Sequence, residues 1–211
     1  MPFVIALILL VLSPAPAWPQ AFEGIVNAKI GSGDGGRPPV DATYWMQSGK
    51  IRMQVTAPGQ SEGSKSVVIL DPAGKNTIVL LPAQKMYMMM SPPPVMGPED
   101  RVPDVVKTGR KEKVAGFECE HWLVKDRTGD VDACVATGIG AFSTGAGRDT
   151  GWSASLSAQQ GFPLKVAKVG GPTILEVTKI ERQTLDPALF TVPADYTQRP
   201  GGPPRPPQPK Q

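Results

Sequence analysis

The chain has 211 residues and a formal net charge of +3, from 22 Lys and Arg against 19 Asp and Glu. The excess lies in the tail 199–211. Without Arg199, Arg205 and Lys210, 19 basic residues balance 19 acidic ones, so the body offers no electrostatic case for nucleic acid. With 40% apolar residues beside 23 Gly and 24 Pro, wholesale disorder is excluded and many short, punctuated elements are expected.

The N-terminus reads MPFVIALILLVLSPAPAWPQAFEG. Its apolar run, Phe3 to Leu12, is too short to span a bilayer. Ala15 and Ala17 then supply the spacing that signal peptidase requires. Residues 1–21 are read as a signal peptide, cleaved after Ala17 or, as second choice, Ala21, although no Lys or Arg precedes the run. The expectation is a periplasmic or secreted protein of the bacterial cell envelope that does not span the membrane after cleavage. No cysteine follows the run to carry a lipid anchor.

From residue 22 the hydrophobic period is mostly two, the signature of strands. FEGIVNAKI alternates through Phe22, Gly24, Val26, Ala28 and Ile30, and GSGDGGRPP is a loop. TYWMQSGKIRMQV reads as two strands joined tightly at Ser48–Gly49. SVVILDPAGKNTIVLLP is a second hairpin, turning at Asp71–Pro72–Ala73–Gly74. KMYMMM continues the sheet until SPPPVMGP stops it, because proline cannot donate to a ladder.

Cys119 and Cys134 are the only cysteines. An even count in an exported chain predicts a bridge. Folding CEHWLVKDRTGDVDAC about a Lys125–Asp126–Arg127–Thr128 loop sets Val124 opposite Gly129 and Cys119 opposite Cys134. GWSASLSAQQGF is the one helical stretch, with Gly161 as its expected C-terminal cap. PLKVAKV and TILEVTKI form a last pair turning at GGP. LDPALFTVPADY is a turn or short helix followed by an extended segment. The tail RPGGPPRPPQPKQ is expected to be extended and disordered. The total is nine or ten strands, which predicts a mainly β fold: a large antiparallel sheet, curved or closed.

Catalytic constellations are missing from this reading. His121, the single histidine, sits inside a strand and is assigned a structural or surface role. No G-x-S-x-G elbow marks a serine for it. A lone His and a bridged Cys pair do not supply a zinc site. No close acidic pair suggests a glycosidase, and neither glycine-rich loop opens a helix to cradle phosphate. No enzyme activity and no cofactor are expected.

The stretch KMYMMMSPPPVM holds five of the eight methionines. On a strand Met86, Met88 and Met90 point one way, and Tyr87 and Met89 the other. Such a face can fill a core, line an apolar site for lipid or peptide, or offer thioethers to Cu(I).

Several stretches, in order, resemble the domain of unknown function 4412 family: FEGIVNAKI, YWMQSGKIRMQV, SVVILDPAGKNTIVLLPAQKMYMM, GRKEKVAGFECEHWLV, GFPLKV and LDPALFTVPADY. That family is here associated with the LolA/LolB lipoprotein-carrier superfamily. The resemblance covers residues 22–198 and implies a strongly curved antiparallel sheet, an open half-barrel with helical cover and an apolar concave face that accepts acyl chains. The expected function is a non-enzymatic binding module. Its groove would be lined by Met46, Met53, Val68, Leu70, Val79, Leu81, Met86, Met88, Met90, Phe162 and Leu164, and its partner would be a lipid, an acyl chain or an envelope protein. The alternatives are a structural or protein-interaction domain of the envelope, and Cu(I) handling through the methionine strand.

Overall fold

The expected alternation is realised as strand pairing. The computed structural model describes residues 22–31, 36, 38–60, 65–71, 76–90, 104–126, 128–140, 142 and 151–199. The expected signal peptide, the Pro72–Gly74 part of the second turn and all but the first residue of the proline tail lie outside them. The strands are β1 (Gly24–Ile30), β2 (Val40–Gln47), β3 (Lys50–Thr56), β4 (Ser66–Asp71), β5 (Asn76–Leu81), β6 (Met86–Met90), β7 (Val105–Val114), β8 (Phe117–Val124), β9 (Val131–Ala136), β10 (Phe162–Lys168), β11 (Thr173–Arg182) and β12 (Thr197–Gln198). One helix, α1 (Gly151–Ala158), precedes β10. All strands belong to one sheet, ordered β12-β6-β5-β4-β3-β2-β1-β11-β10-β9-β8-β7. Every pairing is antiparallel except β12 with β6. The sheet is open: β12 and β7 are its two edges.

Among the described residues the strands number twelve, more than the nine or ten expected; the additions are β7 and β12. β7 carries Lys107, Arg110, Lys111 and Lys113 and has no clean apolar face. As an edge strand it needs none, and its lysines protect that edge from pairing with other chains. β12 is only two residues long.

Local turn chemistry sets the registers. Ser48 and Gly49 both take positive φ, 50° and 80°, and close the β2–β3 hairpin so that Gln47 faces Lys50. Ala115 and Gly116 do the same between β7 and β8. The disulfide joins Cys119 to Cys134 as expected, with Cα atoms 5.3 Å apart. Its register is not the expected one: Val124 pairs with Val131 and His121 with Cys134, two residues beyond the predicted alignment. The loop is longer because Asp126 is drawn away to cap the helix. Its Oδ2 accepts the Trp152 N–H at 2.8 Å, and its Oδ1 accepts the Thr128 N–H and hydroxyl, both at 2.9 Å.

Helix α1 ends where expected but by another residue. Gln160 takes the left-handed conformation, φ 53°, while the Gly161 N–H bonds Leu156 O at 3.0 Å and the Gln160 N–H bonds Ser157 O at 3.0 Å. Gly161 is required for space rather than for its torsion. A Cβ there would lie 2.6 Å from Val135 Cγ1 and 3.1 Å from the Trp122 ring.

The main core lies on one face of the sheet, under α1. It includes Val26, Tyr44, Met46, Met53, Trp122, Leu156, Phe162, Leu164 and Val166. Tyr44, Phe142, Trp152 and Phe162 form a contiguous ring cluster. Phe142 stacks on Trp152 at 5.7 Å, and Phe162 meets Tyr44 edge-on at 5.9 Å.

On the opposite face a strap runs from Leu185 to Arg199. Leu185 and Phe190 bury against Val67, Ile69 and Leu80, with Trp45, Tyr87 and Tyr196 packed around them. Asp186 caps the short 3-10 turn Pro187–Phe190 by accepting the Ala188 N–H at 2.9 Å. Arg52 donates to Leu189 O at 3.0 Å and lies over the Trp45 ring; burial lowers its pKa. The strap ends by pairing β12 with Met86 and Tyr87 of β6.

Candidate functional site

Cross-strand pairing aligns one row of side chains on the α1 face: Tyr44, Met53, Val68, Val79 and Met88. Their exposure rises along the row. Tyr44 is 1% exposed, Met53 5% and Val68 8%, while Val79 and Met88 are half-buried. The row therefore leaves the cover of α1 and emerges at β5 and β6.

The eleven predicted lining residues share this face but divide into two groups. Met46, Met53, Val68, Phe162 and Leu164 are buried, in contact with the chain's own side chains. This end is filled by the Tyr44–Phe142–Trp152–Phe162 cluster and by Leu156. Leu70, Val79, Leu81, Met86, Met88 and Met90 are half-buried. Register pairs them as Val79 with Met88 and Leu81 with Met86, a strip of aliphatic carbon and thioether sulfur in which Thr77 stands between Leu70 and Met90. Met89 points the other way and is 47% exposed. Helix α1 covers the sheet over β10 rather than over this strip.

A second constellation, on the face opposite Trp122, was missed. The His121 ring, 6% exposed, lies between two carboxylates. Nδ1 is 2.7 Å from Asp132 Oδ1 and Nε2 is 3.0 Å from Glu112 Oε2. Arg110 Nη2 reaches Asp132 Oδ2 at 2.5 Å and sits 2.7 Å from Nδ1. Lys165 Nζ is 3.8 Å from Glu112 Oε1. A register shift in β7 between Lys107 and Lys111 turns Arg110 toward this cluster. There the Thr108 hydroxyl donates to His121 O at 2.7 Å and the Gly109 N–H donates to Glu120. His121 is the buried hub of a polar cluster joining β7, β8 and β9. The signal was available in strand parity. Cys119 and His121 share one face of β8, and Asp132 and Cys134 share one face of β9.

No nucleophile is assembled at either place among the described residues. No helix among them is long and apolar enough to cross a membrane.

No curated protein matches the chain. The family profile described as Domain of unknown function (DUF4412) matches residues 22–196. Among solved structures, PNGF-II in a C2 crystal is 12% identical with a TM-score of 0.51, over 85% of this chain and 31% of that one. The P21 form gives the same identity and coverage with a TM-score of 0.50. The chain thus spans less than a third of PNGF-II, and the likeness is one of fold. A LolA superfamily protein from Nitrosomonas europaea is 14% identical over 82% of this chain and 90% of its own, with a TM-score of 0.36.

Proposed function

The chain belongs to the DUF4412 family, and we propose that it is a non-enzymatic binding module of the bacterial cell envelope that holds an acyl chain along the β5–β6 strip. The observation that carries this reading is the rise in exposure from Tyr44 to Met88 along one apolar row. A face built to fill a core alone would be covered to its end.

The strip has the chemistry for an unbranched hydrocarbon. Leu70, Val79, Leu81, Met86, Met88 and Met90 bring no charge and no strong hydrogen-bonding group. Methionine side chains adapt to an irregular or mobile surface. The five residues of β6 extend about 17 Å. Each methylene removed from water there contributes about 0.8 kcal/mol before the cost of association. The disulfide and the expected leader support an oxidising, extracytoplasmic location.

A second reading is favoured by the filled half of the face. With Met46, Met53, Phe162 and Leu164 already buried, the strip can serve as a protein-interaction surface instead of the mouth of a deep cavity. Mass spectrometry of the protein extracted from an envelope fraction separates the two. Copurified lipid supports the acyl-chain reading; a crosslinked envelope protein without lipid supports the other.

A further inference from the structure

We propose that the Cys119–Cys134 bridge conceals a zinc site, assembled from Glu112, His121 and the two cysteine thiolates when a dithiol reductant opens it. This inference is independent of the acyl-chain strip, which lies at the other end of the sheet.

The donor set is already gathered. One ligand atom each from Glu112, His121 and Cys134 lies within 4.8 Å of the others. Cys119 is bonded to Cys134 and faces Glu112 across the β7–β8 pairing. Two sulfurs, one imidazole nitrogen and one carboxylate oxygen make a set that zinc accepts in tetrahedral geometry. Zinc would take His121 Nε2 in place of its present contact with Glu112. The other ring nitrogen is already oriented, with Asp132 Oδ1 2.7 Å from Nδ1. A carboxylate behind a metal-bound histidine fixes the ring and raises its basicity. Arg110 in turn holds Asp132, and Lys165 flanks Glu112, so cations offset the negative charge the thiolates would add.

The conversion balances. A dithiol gives two electrons to the Cys119–Cys134 bond and closes to its own disulfide. Its two hydrogens pass to the cysteine sulfurs and leave as two protons when Zn²⁺ takes the thiolates. In tetrahedral zinc the ligand atoms stand about 3.3–3.8 Å apart, so the Glu112, His121 and Cys134 donors must close by about 1 Å while the two sulfurs, released from their bond, move apart. The Glu112 side chain is 38% exposed, which gives solvent a path to the cluster.

The test is cobalt titration of the whole chain, oxidised and then reduced with a phosphine, followed by zinc displacement. The expected result is one Co²⁺ per reduced chain, with thiolate charge-transfer absorption and the intense visible bands of tetrahedral cobalt. The oxidised chain should show neither. His121→Ala and Cys134→Ser should each abolish the tetrahedral spectrum, and Asp132→Asn should weaken affinity about 10–100-fold. The proposal is overturned if the reduced chain takes up no cobalt, or if His121→Ala binds as wild type. Equal uptake by the oxidised chain overturns it, as does a reduced chain that unfolds and is not recovered by zinc.

Discussion

Glu23 and Leu185, 162 residues apart, meet across the sheet: the Glu23 carboxylate accepts the Leu185 N–H at 2.7 Å. The same oxygen accepts from Gln47 Nε2 at 2.7 Å, and that Nε2 also donates to Leu185 O at 2.8 Å. Three residues thus fasten the start of the C-terminal strap to the beginning of the folded body.

This latch is pH-dependent. The Leu185 N–H, and then the Gln47 side chain, lower the Glu23 pKa below the ordinary carboxylate value. A carboxylate with a depressed folded-state pKa stabilises the fold above its unfolded pKa, near 4.3, and loses that contribution as pH falls through the folded value. The protection factor of the Leu185 amide, its exchange rate relative to the intrinsic rate at the same pH, should therefore fall as the pH drops below about 4. Glu23→Gln should flatten the dependence. An identical pH profile in Glu23→Gln would show that the latch plays no part.

Removing the bridge should destabilise the chain. In the chain-entropy picture a loop closed by cysteines 15 residues apart contributes about 3 kcal/mol. The Cys119→Ser/Cys134→Ser variant should lower the urea midpoint by the corresponding amount with the slope little changed. An unchanged midpoint would mean that the buried sulfurs act only as core.

Helix α1 depends on a residue outside it. Asp126 satisfies the Trp152 N–H from the β8–β9 loop. Asp126→Ala leaves that donor without its acceptor and should cost about 1–2 kcal/mol. Equilibrium denaturation checks this. Asp126→Asn should recover part of the loss, because an amide oxygen still accepts.

Much of the fold was legible because its determinants are local. Period-two alternation located β1 to β6 and β8 to β11, and Ser48–Gly49 marked its turn by needing two positive φ values. β7 was illegible for a physical reason: an edge strand rich in lysine has no face that must be apolar. The cystine register was misplaced because Asp126 is recruited by a helix 26 residues away, which spacing cannot reveal. The same limit hid the His121 cluster. Glu112, His121 and Asp132 lie on three strands and meet only once the registers of both hairpins are known. The predicted lining residues share one face of the sheet. Their division into a filled half and an emerging half depends on where α1 and Phe142 settle, and alternation does not encode that.

The strip itself is tested most directly by titration with a fluorescent fatty acid against the wild type, Met88→Glu and Met89→Glu. The two substitutions place the same charge on neighbouring residues of β6 but on opposite faces. The account predicts saturable binding that Met88→Glu weakens at least tenfold, about 1.4 kcal/mol, and that Met89→Glu leaves unchanged. Absence of saturation in the wild type, or equal losses in the two variants, would contradict it.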